Sequence, residues 1–286
     1  MLKDLTDNDS WIRRTYIEVG KARREADRFP FSFHDIIGRA NKLQADIVSV
    51  LPDADAKPRP VDPFKVALLV NFLSEGNGGL IIMRHGIQFV EDQDRNTLSG
   101  SQRKIRLMQF PHNDLDPASA QSLAEAASLG LVLKHVRENM GMPLRIRTSR
   151  NIRAADIAAI MSVANNFDIQ TDPRLTCVDY PTEKTDEELE SLLGRDNNGA
   201  LVWRKEILDS VCGDGSFRTI DKDMRSVIGD FRTRDGLTIC ITHTPQMNAA
   251  DVVMGETPVR IPELGFRVIT RKGSLQFPTN VFSKEV

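Results

Sequence analysis

Two histidines and several arginines stand directly behind short apolar runs. Arg84-His85-Gly86 follows the run at 79–83; Ser149, Arg150 and Arg153 follow the run at 144–148; His243 follows the run at 237–242, within Thr242-His243-Thr244-Pro245. These residue types suit a phosphoryl group. In transfer such a group spreads negative charge over its equatorial oxygens, and guanidinium groups supply planar, permanently charged donors that match them. A neutral imidazole adds a nucleophile, because one nitrogen keeps a lone pair near neutral pH while a hydrogen bond holds the other. Attack on phosphorus in line would form a covalent phosphohistidine. Arg153 falls in the first turn of a helix starting near 151, where free backbone N–H groups and the helix dipole favour an anion. Gly86 predicts a close approach of the backbone to that anion.

For these residues to meet, the three runs must be neighbouring strands whose carboxyl ends share one edge, the place where ligands bind in open α/β sheets. The rest of the chain supports this. Short apolar runs alternate with helical stretches at about 117–139, with Pro117 in the first turn, and at 151–164, 186–193, 200–210 and 220–231. Thr185 and Glu188 read as a capping box for the third of these. A last extended pair lies near 266–270 and 275–277, turned at Lys272-Gly273. Before residue 79 the pattern is helical: one helix at about 10–28, a second from Ser32, which forms a capping box with Asp35, to Pro52, and a short one near 64–73. Pro52, Pro58, Pro60 and Pro63 mark a linker at 52–63. The predicted fold class is α/β, a three-layer sandwich of a largely parallel sheet with helices on both faces. It comprises residues 79–286 and is preceded by a small helical region at 1–78.

The 286 residues suffice for one large domain or two modest ones, and 40% hydrophobic with 27% charged residues argues against disorder and fibrous repeats. Thirty-eight Lys and Arg against 40 Asp and Glu give a net charge of −2, which provides no overall field for nucleic acid or an anionic membrane. Any anion site must be local. Cys177, Cys212 and Cys240 form no CxxC pair, and no DxD, HExxH or similar spacing appears, so neither a disulfide framework nor a metal site is expected. With no apolar run long enough for a membrane span or signal peptide, the expected location is the cytoplasm. The segment between Gly86 and Asp116 carries Arg95, Arg103, Lys104 and Arg106 and reads as a charged surface loop, or as a cap over a second anionic group of the substrate. His112 reads as part of a turn.

The motifs resemble those of the histidine phosphatase superfamily, also called phosphoglycerate mutase-like. GLIIMRHG at 79–86 looks like its strand and RHG signature, and DLDPASAQSLAEAASLG at 114–130 resembles the helix segment that follows. TSRNIRAADIA at 148–158 is similar to the second-arginine segment, and ITHTPQ at 241–246 to the strand and second histidine. The resemblance spans about 79–286. It implies His85 as the phosphate-accepting nucleophile, with Arg84, Arg153 and His243 clamping the phosphate oxygens. The family's proton donor would fall near 175–188, where the usual L-x-E is replaced by Leu175-Thr176-Cys177; Asp179 is the nearest acid and Glu183 the alternative.

The function so implied is hydrolysis of a phosphomonoester, small molecule or phosphoprotein, without metal or other cofactor. Arg84-His85-Gly86-Ile87-Gln88 departs from the RHGE of the mutase branch, which leaves a phosphoglycerate mutase-type phosphotransferase as an alternative. A non-catalytic phosphate-sensing module is another. The N-terminal helices could cover the site, join two copies of the chain or bind a partner.

Overall fold

The computed structural model describes residues 14–24, 32–49, 59–86, 118–165, 167–176, 194–195, 201–202, 216–232, 235–259, 261–276 and 281–282. In chain order the helices are α1 (residues 14–24), α2 (Phe33–Val48), α3 (Pro63–Glu75), α4 (Ala120–Met140), α5 (Ile152–Asn165), α6 (Ser216–Arg232) and α7 (Thr244–Val253). The strands are β1 (Gly78–Arg84), β2 (Leu144–Thr148), β3 (Ile169–Thr171), β4 (Gly194–Arg195), β5 (Leu201–Val202), β6 (Gly236–Thr242), β7 (Phe266–Thr270) and β8 (Gly273–Gln276). Six strands form one sheet in the order β3-β2-β6-β1-β7-β8. The first four are mutually parallel, while β7 runs antiparallel to β1, and β8 to β7.

Alternation along the strands assigns the layers. Ile81 and Met83 of β1, Ile146 of β2, Ile239 and Ile241 of β6 and Val268 of β7 face one side and pack with apolar residues of α1 to α5. Leu80, Ile82, Cys240 and Ile269 face the other, against Ile220, Met224 and Val227 of α6 and Met247 and Ala250 of α7. The predicted three-layer α/β arrangement with a largely parallel sheet is what forms. Each fully buried Leu or Ile in these layers contributes roughly 1.5–3 kcal/mol. Val19 of α1, Ile36 and Ile47 of α2, and Leu69 and Leu73 of α3 share the first cluster, so the N-terminal helices and the sheet bury apolar surface against each other.

The capping box of α2 forms as read: Asp35 N donates to Ser32 Oγ at 3.3 Å and Ser32 N to Asp35 Oδ2 at 3.1 Å. Its stripe of Ile36, Ile37, Ala40, Leu43 and Ile47 is buried against α4. Helix α4 lies between α2 and α5 and is alanine-rich and buried nearly all round. It begins at Ala120, not near Pro117, because Ser119 accepts from Ser122 N at 3.3 Å and so serves as the N-cap. Arg59 pins the chain entering α3 to α4 by two hydrogen bonds to buried Glu125, Nε to Oε1 at 2.6 Å and the guanidinium terminus to Oε2 at 2.5 Å. Residues 281–282 return to the same place: Asp62 N donates to Val281 O at 2.8 Å and Lys65 Nζ to Phe282 O at 2.8 Å.

Two expectations need correction. Leu201–Val202 pairs with Gly194–Arg195 as antiparallel strand, at the start of the helix predicted over 200–210, whose residues 203–210 lie outside the described residues. Asn198-Gly199 between them is a hairpin signal that outweighs the apparent helical spacing. Helix α6 starts at Ser216, four residues before the predicted 220. Strand β3 carries no apolar run, since all three of its residues are exposed at the sheet edge. The predicted helix at 186–193 and the basic segment with Arg95, Arg103, Lys104, Arg106 and His112 lie outside the described residues. No described helix is long and apolar enough to cross a membrane.

Candidate active site

Strand register creates the site. β1 and β6 pair Arg84 with Thr242, and β2 and β6 pair Thr148 with Ile241, so His85, His243 and Ser149 leave three adjacent parallel strands side by side. The ladder continues past the strand ends, with His85 N donating to Thr242 O at 2.9 Å and Ser149 N to Ile241 O at 3.0 Å. On the other flank Arg84 N donates to Gly265 O at 3.0 Å. His243 is the residue before α7, whose first turn holds Pro245. Arg153, the second residue of α5, reaches in from the helix that follows β2.

These side chains converge. Arg153 Nε donates to His85 Nε2 at 3.3 Å, and a terminal nitrogen of the same guanidinium lies 3.4 Å from His243 Nδ1. The two imidazoles stand 4.8 Å apart between ring centroids, tilted by 52°. His85, Arg153 and His243 are 7%, 5% and 2% exposed, so their charges act in a medium that water screens little. Burial first, then the Arg153, His243 and Arg84 charges, hold His85 well below the usual imidazole range; burial and the same two arginines do so for His243. Both rings are therefore neutral near pH 7. His85 Nδ1 lies 2.5 Å from Gly86 O, a carbonyl that can only accept, so Nδ1 carries the proton and Nε2 the lone pair.

Arg84 is held differently. One terminal nitrogen donates to Ile261 O at 2.8 Å and the other pairs with Glu263 Oε1 at 2.8 Å, while its buried Nε has no partner among the described residues. Gly86 has a packing role that the sequence does not predict. A Cβ there would stand 2.4 Å from Ser122 Cβ, so glycine is required for β1 to close on α4. Asp179 and Glu183 lie outside the described residues, as do Cys177 and Cys212. The chain approaches them from a fixed point. Thr176 O accepts from Gln246 Nε2 at 2.6 Å, Thr176 Oγ1 from Arg150 N at 3.3 Å, and Leu175 O from Thr242 Oγ1 at 2.7 Å. Below it Asp172 binds Arg174 and Arg147, whose hydrogen bonds and charges outweigh burial and hold its carboxyl below the usual range.

Sequence reasoning passed over Glu263 and Gln246, and it gave Ser149 and Asn151 no role. Their signals were weak: Glu263 lies beside the Leu264-Gly265 turn before β7, and Ser149 is one polar residue among several at a strand end. Cys240 is no nucleophile, since burial pushes its thiol up to about 12. Among the described residues no His, Cys, Asp and Glu side chains gather in threes to hold a metal. The arrangement instead offers two guanidinium groups and two neutral imidazoles, one with its lone pair exposed to whatever Arg153 binds.

No family model matches this chain, and no curated protein matches it in sequence. Among solved structures it is similar to the phosphoserine phosphatase of Entamoeba histolytica in complex with 3-phosphoglyceric acid, at 13% identity and a TM-score of 0.43, covering 73% of this chain and 98% of that one. It is also similar to mycobacterial glucosyl-3-phosphoglycerate phosphatase with VO3, at 14% identity and TM-score 0.45, covering 71% and 98%. A third is the protein histidine phosphatase SixA with tungstate, at 13% identity and TM-score 0.38, covering 69% and 93%. Each of these neighbours is named as a phosphatase. At such identities the chemistry of this chain rests on its own site.

Proposed function

We propose that the chain is a phosphomonoesterase of the histidine phosphatase superfamily that works through a covalent phosphohistidine on His85 and needs no metal. The observation that carries this reading is the state of His85: neutral, its Nδ1 proton shared with Gly86 O, and its unprotonated Nε2 accepting from the Arg153 guanidinium. A phosphate dianion bridging Arg153 and Arg84 neutralises their charge and brings phosphorus up to that lone pair. Nε2 attacks phosphorus, the bond to the ester oxygen breaks, and an acid protonates the leaving oxygen. Water then attacks the phosphohistidine; the N–P bond breaks, Nε2 recovers its lone pair, and the carboxylate accepts the water's proton. Asp179 is the proposed acid and Glu183 the alternative. Anchoring of Thr176 at the edge of the site, three residues before Asp179, supports this order.

The test is a panel of phosphomonoesters assayed in excess chelator on the wild type and on His85→Ala. Turnover that persists in chelator, is blocked by vanadate and is lost in His85→Ala is the expected result. Binding of phosphate without turnover of any ester would make the protein a sensor, and activity restored only by added magnesium or zinc would refute the metal-free mechanism.

A further inference from the structure

The Ser149 hydroxyl lies 2.9 Å from His243 Nε2 and 2.6 Å from Asn151 Oδ1, and the Asn151 backbone N–H donates to it at 3.1 Å. A hydroxyl has one proton and two lone pairs. Asn151 Oδ1 can only accept, so it takes the proton. Asn151 N–H occupies one lone pair, and the group meeting the other must donate. His243 therefore carries its proton on Nε2. Its bare nitrogen is Nδ1, which faces Arg153. The two histidines thus hold opposite tautomers, His85 protonated on Nδ1 and His243 on Nε2, and both point a lone pair at one guanidinium.

For His85 that lone pair is the nucleophile. For His243 it presents a difficulty, because a lone pair turned to a phosphoryl oxygen repels it, whereas an N–H there makes a charge-assisted hydrogen bond. We propose that Ser149, oriented by Asn151, is a positioning residue that keeps His243 in the Nε2–H form, so that an oxyanion entering beside Arg153 draws one proton from solvent onto His243 Nδ1. This inference rests on the phosphatase reading above. The charged groups facing His243 are Arg153 of α5 and Arg84 of β1, both cationic, with the neutral His85 ring beside it. A dianion reverses the sign of that surrounding charge. Ser149 is fully buried, so water does not replace its hydroxyl as the acceptor for Nε2–H.

Tungstate tests this, because it stays a dianion across the neutral range and brings no proton of its own. Calorimetry in buffers of different ionisation enthalpy counts protons taken up on binding. The wild type should take up about one, with Kd weakening roughly tenfold per pH unit on the alkaline side, as linkage requires of a single coupled proton. In Ser149→Ala the neutral ring can adopt the Nδ1–H form and donate without help, so uptake should fall towards zero and Kd should lose its pH dependence. Ser149→Thr, which keeps the hydroxyl, should restore both, and His85→Gln should retain the uptake, assigning the proton to His243. Nitrogen NMR of the free wild-type protein reads the tautomers directly and should find Nε2 protonated on His243 and Nδ1 on His85. Equal uptake in wild type and Ser149→Ala, or an Nδ1–H His243 in the free protein, would overturn the proposal while leaving phosphatase activity intact. Failure of the wild type to bind tungstate would overturn both.

Discussion

Acidification should unfold this protein through its active-site histidines. His85 and His243 are held well below 6.5 in the folded state, so below that pH the unfolded chain binds two protons that the folded one does not. Their contribution to stability is complete above pH 6.5 and is lost as the pH falls towards the folded values. Each histidine gives a slope that approaches about 1.4 kcal/mol per pH unit in the window below pH 6.5 and above its folded value. Asp251 works in the opposite direction. Burial pushes its carboxyl up to about 7 despite Arg267, so stability falls as pH rises from the usual carboxylate range to that value. This opposing slope is common to the wild type and to variants at the histidines, and it cancels between them. Urea unfolding followed by circular dichroism at several pH values should therefore show His85→Gln and His243→Gln each shallower than wild type by about 1.4 kcal/mol per pH unit in that window. Stability curves parallel to wild type would mean that the imidazoles take up protons in the folded protein as readily as in the unfolded chain, contradicting the burial and cationic surroundings that hold them neutral.

Arg153→Ala should lower kcat/KM by about two to three orders of magnitude, equivalent to about 2.7–4 kcal/mol of transition-state stabilisation, with an unfolding midpoint near that of wild type. Arg103→Ala, assayed with a small ester, should change it far less. Gly86→Ala should destabilise the protein and Ser122→Gly should rescue it in the double variant, since the clash is with Ser122 Cβ; purely additive effects by urea unfolding would contradict the packing. Arg59→Ala should cost about 3–5 kcal/mol by the same measurement, because it leaves the buried Glu125 carboxylate without its main partner.

Much of the fold was legible because the central strands are buried on both faces and read as unbroken apolar runs, as in residues 79–83 and 237–242. The chemistry was legible because strand ends in a parallel sheet share one edge, so Arg84-His85, Arg153 and His243 announce a site by position alone. The edges of the fold were harder to read. Strand β3 is short, exposed and paired on one side only, so no hydrophobic pattern marks it. Leu201–Val202 is too short to show a period of two. The sequence suggests Gly86 as a place where the backbone passes close to an anion; that its missing side chain also makes space for Ser122 is a contact between residues 36 apart, which local sequence cannot reveal. Ser149 and Glu263 act through the tautomer of one histidine and the placement of one arginine, which depend on distances rather than residue types.

The central claim is that His85 carries the phosphoryl group during turnover, and trapping that species tests it most directly. A labelled phosphomonoester mixed with the enzyme and quenched rapidly without acid should leave label on the protein. A phosphorus–nitrogen bond is lost in mild acid and survives alkali, the reverse of serine and threonine esters, so the label should disappear on acid treatment and be absent from His85→Ala. Label that survives acid, or that persists in His85→Ala, would contradict the account.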